Sequence, residues 1–364
     1  MNFDLTEDEE MLKALAERFV QGRYDVDKRR QYARAPLGFD PANWAMLGEL
    51  GLIAAMLPEA AGGLGLDATG IATLMEALGH GLAVEPLVEN VVLAARLFAA
   101  QAPAALAEAW APHLADGSRR VALAHAEADG RAGVLRVSTR AEGGRISGEK
   151  PFVIAGYGAD GFIVSARESG APGEAAGVGL WFVAADAPGL TITPWRVADG
   201  SVAARLVLAD VPAQALAGGA GAIAEAEVLA SLACSAEALG TMARLFADTG
   251  DYLRTRQQFG VPLASFQALQ HRMVAQYVAI EQARALMNLA LVSWGQPGFA
   301  DAVRGLRAFI APAAVDLGHE MIQLHGGMGV TDELVIGHGH KRLLVISRWP
   351  DTPEAALDAF ATAA

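Results

Sequence analysis

Gln323-Leu324-His325-Gly326-Gly327-Met328-Gly329 follows a long apolar segment near the C-terminal end of the chain, and upstream of it stand Arg256-Gln257-Gln258-Phe259-Gly260 and Phe266-Gln267-Ala268-Leu269-Gln270. Taken singly, each piece is ordinary. A glycine pair behind a helical segment reads as a helix end, where residues at positive φ close the ladder without a steric penalty, and an arginine on a helix reads as a solvated charge. Their joint order and spacing are far more specific. Around them the apolar periodicity is helical and predicts helices over 224–250, 251–256, 266–294, 298–324 and 333–347, with an Ala-Gly-rich, flexible stretch at 216–222 leading in.

Toward the N-terminal end the texture changes twice. Met11, Leu12, Leu15, Phe19 and Val20 are spaced as one helical face over 8–21, another helix begins at Trp44, and Leu57-Pro58-Glu59-Ala60-Ala61-Gly62-Gly63-Leu64-Gly65 breaks the pattern. Short β runs punctuated by glycine follow at 121–125, 134–139, 152–154, 161–166, 179–184, 190–194 and 204–208, which together predict a small, mostly antiparallel β domain. The order is helical, β, helical, with domains expected at 1–118, 119–215 and 216–364. No internal repeat interrupts it.

The 364 residues suffice for two or three domains and a sizeable core, and the formal net charge of −13 argues against a nucleic-acid partner, because phosphate binding needs a basic patch. Cys234 is the single cysteine and cannot form an internal disulfide. The acidic start, Met1 to Glu10, lacks the basic-then-apolar form of a signal peptide, so a cytoplasmic location is expected. Although 53% of the residues are hydrophobic, many are alanine, and Glu225, Glu227, Glu237, Arg304 and Arg307 interrupt the apolar segments. No membrane span of about 20 residues develops, and no membrane partner is expected. The apolar fraction also fits burial against other subunits.

The pair of motifs quoted first resembles the flavin-binding signatures of the acyl-CoA dehydrogenases, and the three-part order extends the resemblance over nearly the whole chain. It implies an α+β fold, mainly α, with an N-terminal helical domain, a middle antiparallel β domain and a C-terminal four-helix bundle. Pro58-Glu59 with Gly62-Gly63-Leu64-Gly65, Gly148-Glu149-Lys150 running on to Ala159-Asp160, and Asp210-Val211-Pro212 are similar to further family segments in the same register. The resemblance implies FAD as cofactor and Arg256, Phe259, Gln267, Gln270, Gln323, Gly326 and Gly327 as its contacts. Arg256 would neutralise the pyrophosphate with its fork of donors, and the glycines would allow close backbone approach.

Other family features are missing. Its chemistry needs a base for the proton α to a thioester, a flavin to accept the β hydride and donors to polarise the carbonyl. At the usual position of the glutamate base this chain reads Trp349-Pro350-Asp351-Thr352, with proline in its place, and the alternative position on the preceding helix is Ala230. Glu227 and Glu237, roughly one and two turns away, read as solvated or capping carboxylates. The family's Thr-Glu-Pro-x-x-Gly-Ser segment is matched by Ala126-Glu127-Ala128-Asp129-Gly130-Arg131-Ala132, without either hydroxyl, and beside Phe152 the family threonine is Ile154. Isoleucine cannot hydrogen-bond a flavin ring.

In the family, the elements that survive reach across a dimer to the neighbouring subunit's FAD, whereas those lost serve a subunit's own. That asymmetry resembles the small, non-catalytic subunit of heterotetrameric acyl-CoA dehydrogenases acting on steroid side-chain or dicarboxyl CoA thioesters, and Ala122 to Glu127 is similar to the pimeloyl-CoA dehydrogenase small-subunit type. The expected partners are a paralogous catalytic subunit in an α2β2 assembly, an acyl-CoA and, by family, an electron-transfer flavoprotein. No catalytic residue and no metal site are assigned to the chain itself. Two alternatives stand beside this reading: an autonomous homo-oligomer with Asp351 or Glu227 as a displaced base, and a non-redox acyl-CoA-binding or scaffold protein.

Overall fold

Thr6 opens the first helix, α1 (Glu7–Arg23), through a capping box: its hydroxyl accepts from the Glu9 amide, and the Glu9 carboxylate accepts from the Thr6 amide at 2.8 Å. Two orphan donors of the helix start are thereby satisfied reciprocally. The computed structural model describes residues 5–127, 136–174 and 176–363. After α1 come α2 (Val26–Arg34), α3 (Pro41–Glu49), α4 (Leu52–Ala55) and α5 (Ala68–His80). Asp67 caps α5, its carboxylate accepting from the Thr69 and Gly70 amides at 2.8 and 3.0 Å. A fully buried π-helical stretch, Val88–Ala95, runs into α6 (Arg96–Gln101), and α7 (Ala104–Ala115) follows.

Among the described residues eight strands form one sheet: β1 (Val121–Ala124), β2 (Arg140–Glu142), β3 (Arg145–Val153), β4 (Gly161–Arg167), β5 (Val178–Ala184), β6 (Leu190–Arg196), β7 (Val202–Pro212) and β8 (Gln214–Gly219). Their order is β6-β7-β3-β2-β4-β5-β8, with β1 also pairing to β4. Every residue of β4 is buried, which explains why Phe162-Ile163-Val164 reads as a continuous apolar run rather than an alternation. Phe162, Val164, Trp181, Val183 and Leu206 lie in the sheet's hydrophobic core. The rest is helical: α8 (Ala220–Thr255), a hairpin of β9 (Gln257–Gln258) and β10 (Val261–Pro262), then α9 (Gln267–Val292), α10 (Phe299–His325), α11 (Val335–Ile346) and α12 (Pro353–Ala363).

The chain divides into two compact units. One holds the residues up to Gln31, Asp67–Ala83 and everything from Ser231 onward; the other holds Tyr32–Leu66 and Val84–Ala230. The first contains α1, α5, α8 from Ser231 on and the helices after it, and the second contains the sheet. No described helix is long and apolar enough to cross a membrane.

Several expectations need correction. The stretch 216–222 is not a flexible linker, because β8 pairs antiparallel with β5 as far as Gly219 and α8 starts at the next residue. Residues 251–256 are not a separate helix, since Gly250 sits inside α8. The sheet is mostly antiparallel, as expected, with β1 and β2 running parallel to β4. Of the run expected at 134–139, residues 134 and 135 lie outside the described residues, and 136–139 form no strand. There the Ser138 and Thr139 amides donate to the Glu127 carboxylate at 2.6 and 3.0 Å instead of joining a ladder. Residues 152 and 153 end the longer β3, and α12 was not anticipated.

Candidate functional site

The hairpin after α8 is a presentation device. Val261 pairs with Gln258 and Pro262 with Gln257, leaving Phe259 and Gly260 as the two turn residues, both at positive φ (53° and 82°). That is the backbone a tight hairpin needs and one a phenylalanine adopts at a steric cost. Phe259 is 92% exposed, edge-on to Phe266 with ring centroids 6.2 Å apart. Arg256 is exposed and makes no ion pair among the described residues. Gln267 and Gln270 are exposed on the first turn of α9, where the Gln270 amide nitrogen donates to the Ala264 carbonyl at 2.8 Å.

The second element of the surface is the end of α10. Gln323, Gly326 and Gly327 are all exposed, and the Gly326 amide donates back to the Gln323 carbonyl. The positive φ belongs to Gly326, at 60°, and not to Gly327, which lies in the short 3-10 turn Gly326–Val330. A Cβ on either glycine would meet nothing within 4 Å of its own chain, so both faces are open to a ligand's approach. Gly329 differs, since a Cβ there would be forced against the Ile322 carbonyl.

Tyr252 and His325, neither of them singled out from sequence, link the two elements. Their rings stack at 4.3 Å with an interplanar angle of 24°.

The positions expected to lack a base are otherwise occupied. Ala230 is fully buried and Pro350 half-buried. Asp351 accepts from the Ser231 hydroxyl at 3.1 Å and from the guanidinium of Arg307 at 3.0 Å. Arg307 is 1% exposed, and it also donates to the Ile346, Trp349 and Asp351 carbonyls. This side chain pins the turn 346–351 to α10, while Ser231 ties the same turn to α8. Glu237 is neither solvated nor capping: it is buried and bidentate with Arg342, at 2.5 and 2.9 Å. Glu227 is half-buried on α8 and engaged in a contact of its own.

In the unit with the sheet, Lys150 is fully buried on β3 and donates to the Glu127 carboxylate at 2.7 Å, the Ser165 hydroxyl at 3.0 Å and the His125 carbonyl at 3.2 Å. Burial pushes the lysine down to about 8 against the pull of Glu127. Burial would raise Glu127, but the Lys150 charge and the Ser138 and Thr139 amides hold it at about 2. His125, 2.9 Å from the Ser165 hydroxyl, is lowered to about 4 by burial and by Lys150. Every group here already has a protein partner, so the cluster reads as a fastening between β1, β3 and β4. Phe152 packs on Trp195 at 5.3 Å, and Ile154 is buried, bringing no polar group. Ala126 is half-buried, and Ala128, Asp129, Gly130, Arg131 and Ala132 lie outside the described residues.

Comparison with known proteins bears on the family. Residues 6–118 match the model of the acyl-CoA dehydrogenase N-terminal domain, and residues 217–356 match that of the acyl-CoA dehydrogenase C-terminal domain. The acyl-CoA dehydrogenase FadE27 of Mycobacterium tuberculosis is 29% identical over 343 residues, covering 91% of this chain and 90% of that protein. Among solved structures, a variant of the Tcur3481-Tcur3483 steroid ACAD superposes with a TM-score of 0.86 at 30% identity, over 98% of this chain and 97% of the other. The ChsE4-ChsE5 complex from Mycobacterium tuberculosis superposes with a TM-score of 0.90 at 25% identity, over 100% and 98%. Members of this family are FAD-dependent oxidoreductases. Over most of its length, the chain is a member of the acyl-CoA dehydrogenase family.

Proposed function

We propose that this chain is a subunit of an FAD-dependent acyl-CoA dehydrogenase, that it holds the flavin of a paralogous catalytic subunit in trans, and that it supplies no catalytic base. The observation that carries this reading is a contrast within one unit. The hairpin and glycine turn are held in shape but exposed, with Arg256 unpaired among the described residues, whereas the turn that bears the family's base carries Pro350 and an Asp351 committed to Arg307 and Ser231. The donor set fits the cofactor: a guanidinium fork for diphosphate, an exposed aromatic ring, and two glycines open to backbone approach. When bound, the flavin supplies hydride acceptance; this chain's part is to bind and orient it.

A subunit surface for the partner is also at hand. Val274, Tyr277 and Val278 are exposed at i, i+3 and i+4 on α9. An apolar stripe of this kind marks an interface. The names of two structural neighbours, one a steroid ACAD and one a two-protein complex, favour an α2β2 heteromer acting on a bulky acyl-CoA such as a steroid side-chain thioester. An electron-transfer flavoprotein as acceptor, a cytoplasmic location and domain limits at 118 and 215 complete the proposal.

The chain is to be purified alone and after co-expression with a paralogous acyl-CoA dehydrogenase subunit that retains the glutamate. Stoichiometric flavin and turnover are expected from the pair. If the lone chain retains stoichiometric FAD and turns over fully, the reading is wrong.

A further inference from the structure

Arg256 and Gln323 lie on different elements, so a shared ligand is held well only if the distance between those elements is fixed. We propose that Tyr252 and His325 are positioning residues whose stacked rings set the hairpin and the glycine turn at the separation that holds the dinucleotide. The inference rests on the cofactor-holding role proposed above and assigns its geometry to two residues that touch no reacting atom.

Tyr252 sits one helical turn before Arg256, on the last turns of α8, and its carbonyl accepts from the Arg256 amide at 2.8 Å. The Arg256 carbonyl in turn accepts from Leu263 at 2.8 Å, so the base of the hairpin hangs directly on the turn that Tyr252 anchors. On the other side His325 immediately precedes Gly326 and follows Gln323 by two residues. Its ring is buried, and Nδ1 lies 2.8 Å from the Met321 carbonyl, which can only accept, so this nitrogen carries a proton and the ring plane is set by α10 itself.

The Tyr252 ring then lies against that fixed plane, and its hydroxyl donates to the His325 carbonyl at 3.4 Å. One stacked pair and one hydrogen bond therefore couple the ends of α8 and α10. A recess of about 320 Å³ flanks the pair, lined by Asp248, Asp251, Met328 and Val335 among others. The recess leaves open space on one flank of the stacked pair.

The test uses FAD retention and hydrogen exchange in Tyr252→Ala, His325→Ala, Tyr252→Phe and Arg256→Ala. Retention is measured in whichever assembly carries flavin, this chain with its paralogue or this chain alone. Tyr252→Ala and His325→Ala are expected to weaken FAD binding about five- to tenfold and to speed amide exchange at 256–263 and 325–330 in the flavin-free chain, while Tyr252→Phe stays near the parent in both. Should the alanine forms fail to fold, Tyr252→Leu fills the space without stacking and is expected to show the same loss. If Arg256→Ala loses flavin but the ring variants bind and exchange like the parent, the pair is ordinary packing and the inference is overturned. If Arg256→Ala itself leaves FAD retention unchanged, the cofactor-holding surface falls, and this inference with it.

Discussion

Asp351 is tied into the fold through one carboxylate oxygen, Oδ1, which accepts from both Ser231 and the buried Arg307. Its removal is therefore a stability event. Asp351→Ala leaves the buried Arg307 cation without its counter-charge and is expected to cost about 3–5 kcal/mol in chemical denaturation, while Asp351→Asn, which keeps a hydrogen-bonding group, folds. In the assembled enzyme the asparagine form should keep its turnover per bound flavin; a fall of roughly 10² to 10⁴ would identify Asp351 as the base. Titrating residues define a second expectation. His340 is lowered to about 4 by burial and then by His319. Because its folded value lies below the ordinary value of about 6.5, the unfolded chain binds more protons in that interval, and stability falls as pH drops from 6.5 toward 4. Glu127, held at about 2, adds stability that is present above about 4.3 and lost toward 2. Urea midpoints measured from pH 7 to 3 should fall through both windows, and His340→Gln should lessen the first, which His125 shares, while sparing the second.

At the scale of elements, the glycines of α8 have opposite tasks. A Cβ on Gly240 would overlap the Glu76 carbonyl of α5, and one on Gly79 of α5 would overlap the Glu237 carbonyl of α8, so these two positions let the helices cross backbone to backbone. Gly250 faces only the side chain of Arg254, at 3.7 Å. Gly250→Ala is accordingly expected to stabilise the chain by about 0.5–1 kcal/mol through helix propensity, and Gly240→Ala to destabilise it by about 1–3 kcal/mol through overpacking, both read from thermal or urea unfolding. This contrast shows why element boundaries were only partly legible. A glycine looks the same in sequence whether it ends a helix, admits a neighbour or sits idle, and the expected break at Gly250 came from that ambiguity. Periodicity placed α1, α10 and α11 to within a few residues because each has an apolar face, while α9 was bounded by the turn residues on either side of it. It missed β8, whose Gln214, Ala215 and Gly219 join the sheet through backbone pairing to β5, an interaction that leaves little trace in composition.

At the scale of the whole molecule, the family was legible from two motifs, yet what makes those motifs a surface was not. Arg256, Phe259 and Gln323 stand out by type and spacing, whereas Tyr252 and His325 matter through a stack between residues 73 positions apart. Asp351 was legible as a candidate carboxylate, whereas its ion pair with Arg307, which arrives from another helix, was not. The same dependence on assembled geometry governs the remaining expectation. Ala230→Glu places a carboxylate at the position the resemblance gives as an alternative base site; Ala230 is fully buried on α8, so the variant is first checked for folding by circular dichroism. Even so, a base accelerates proton transfer only when the α-proton lies within hydrogen-bond reach and the acceptor ring is aligned. On the proposed reading, Ala126 and Ile154 replace groups that would orient that ring, and Ile154 is buried without a polar atom to offer. The lone Ala230→Glu chain, mixed anaerobically with FAD and a panel of acyl-CoAs, is therefore expected to leave the flavin oxidised. Rapid bleaching would mean that flavin and thioester were already aligned within this chain, and its role as the non-catalytic half of a heteromer would have to be given up.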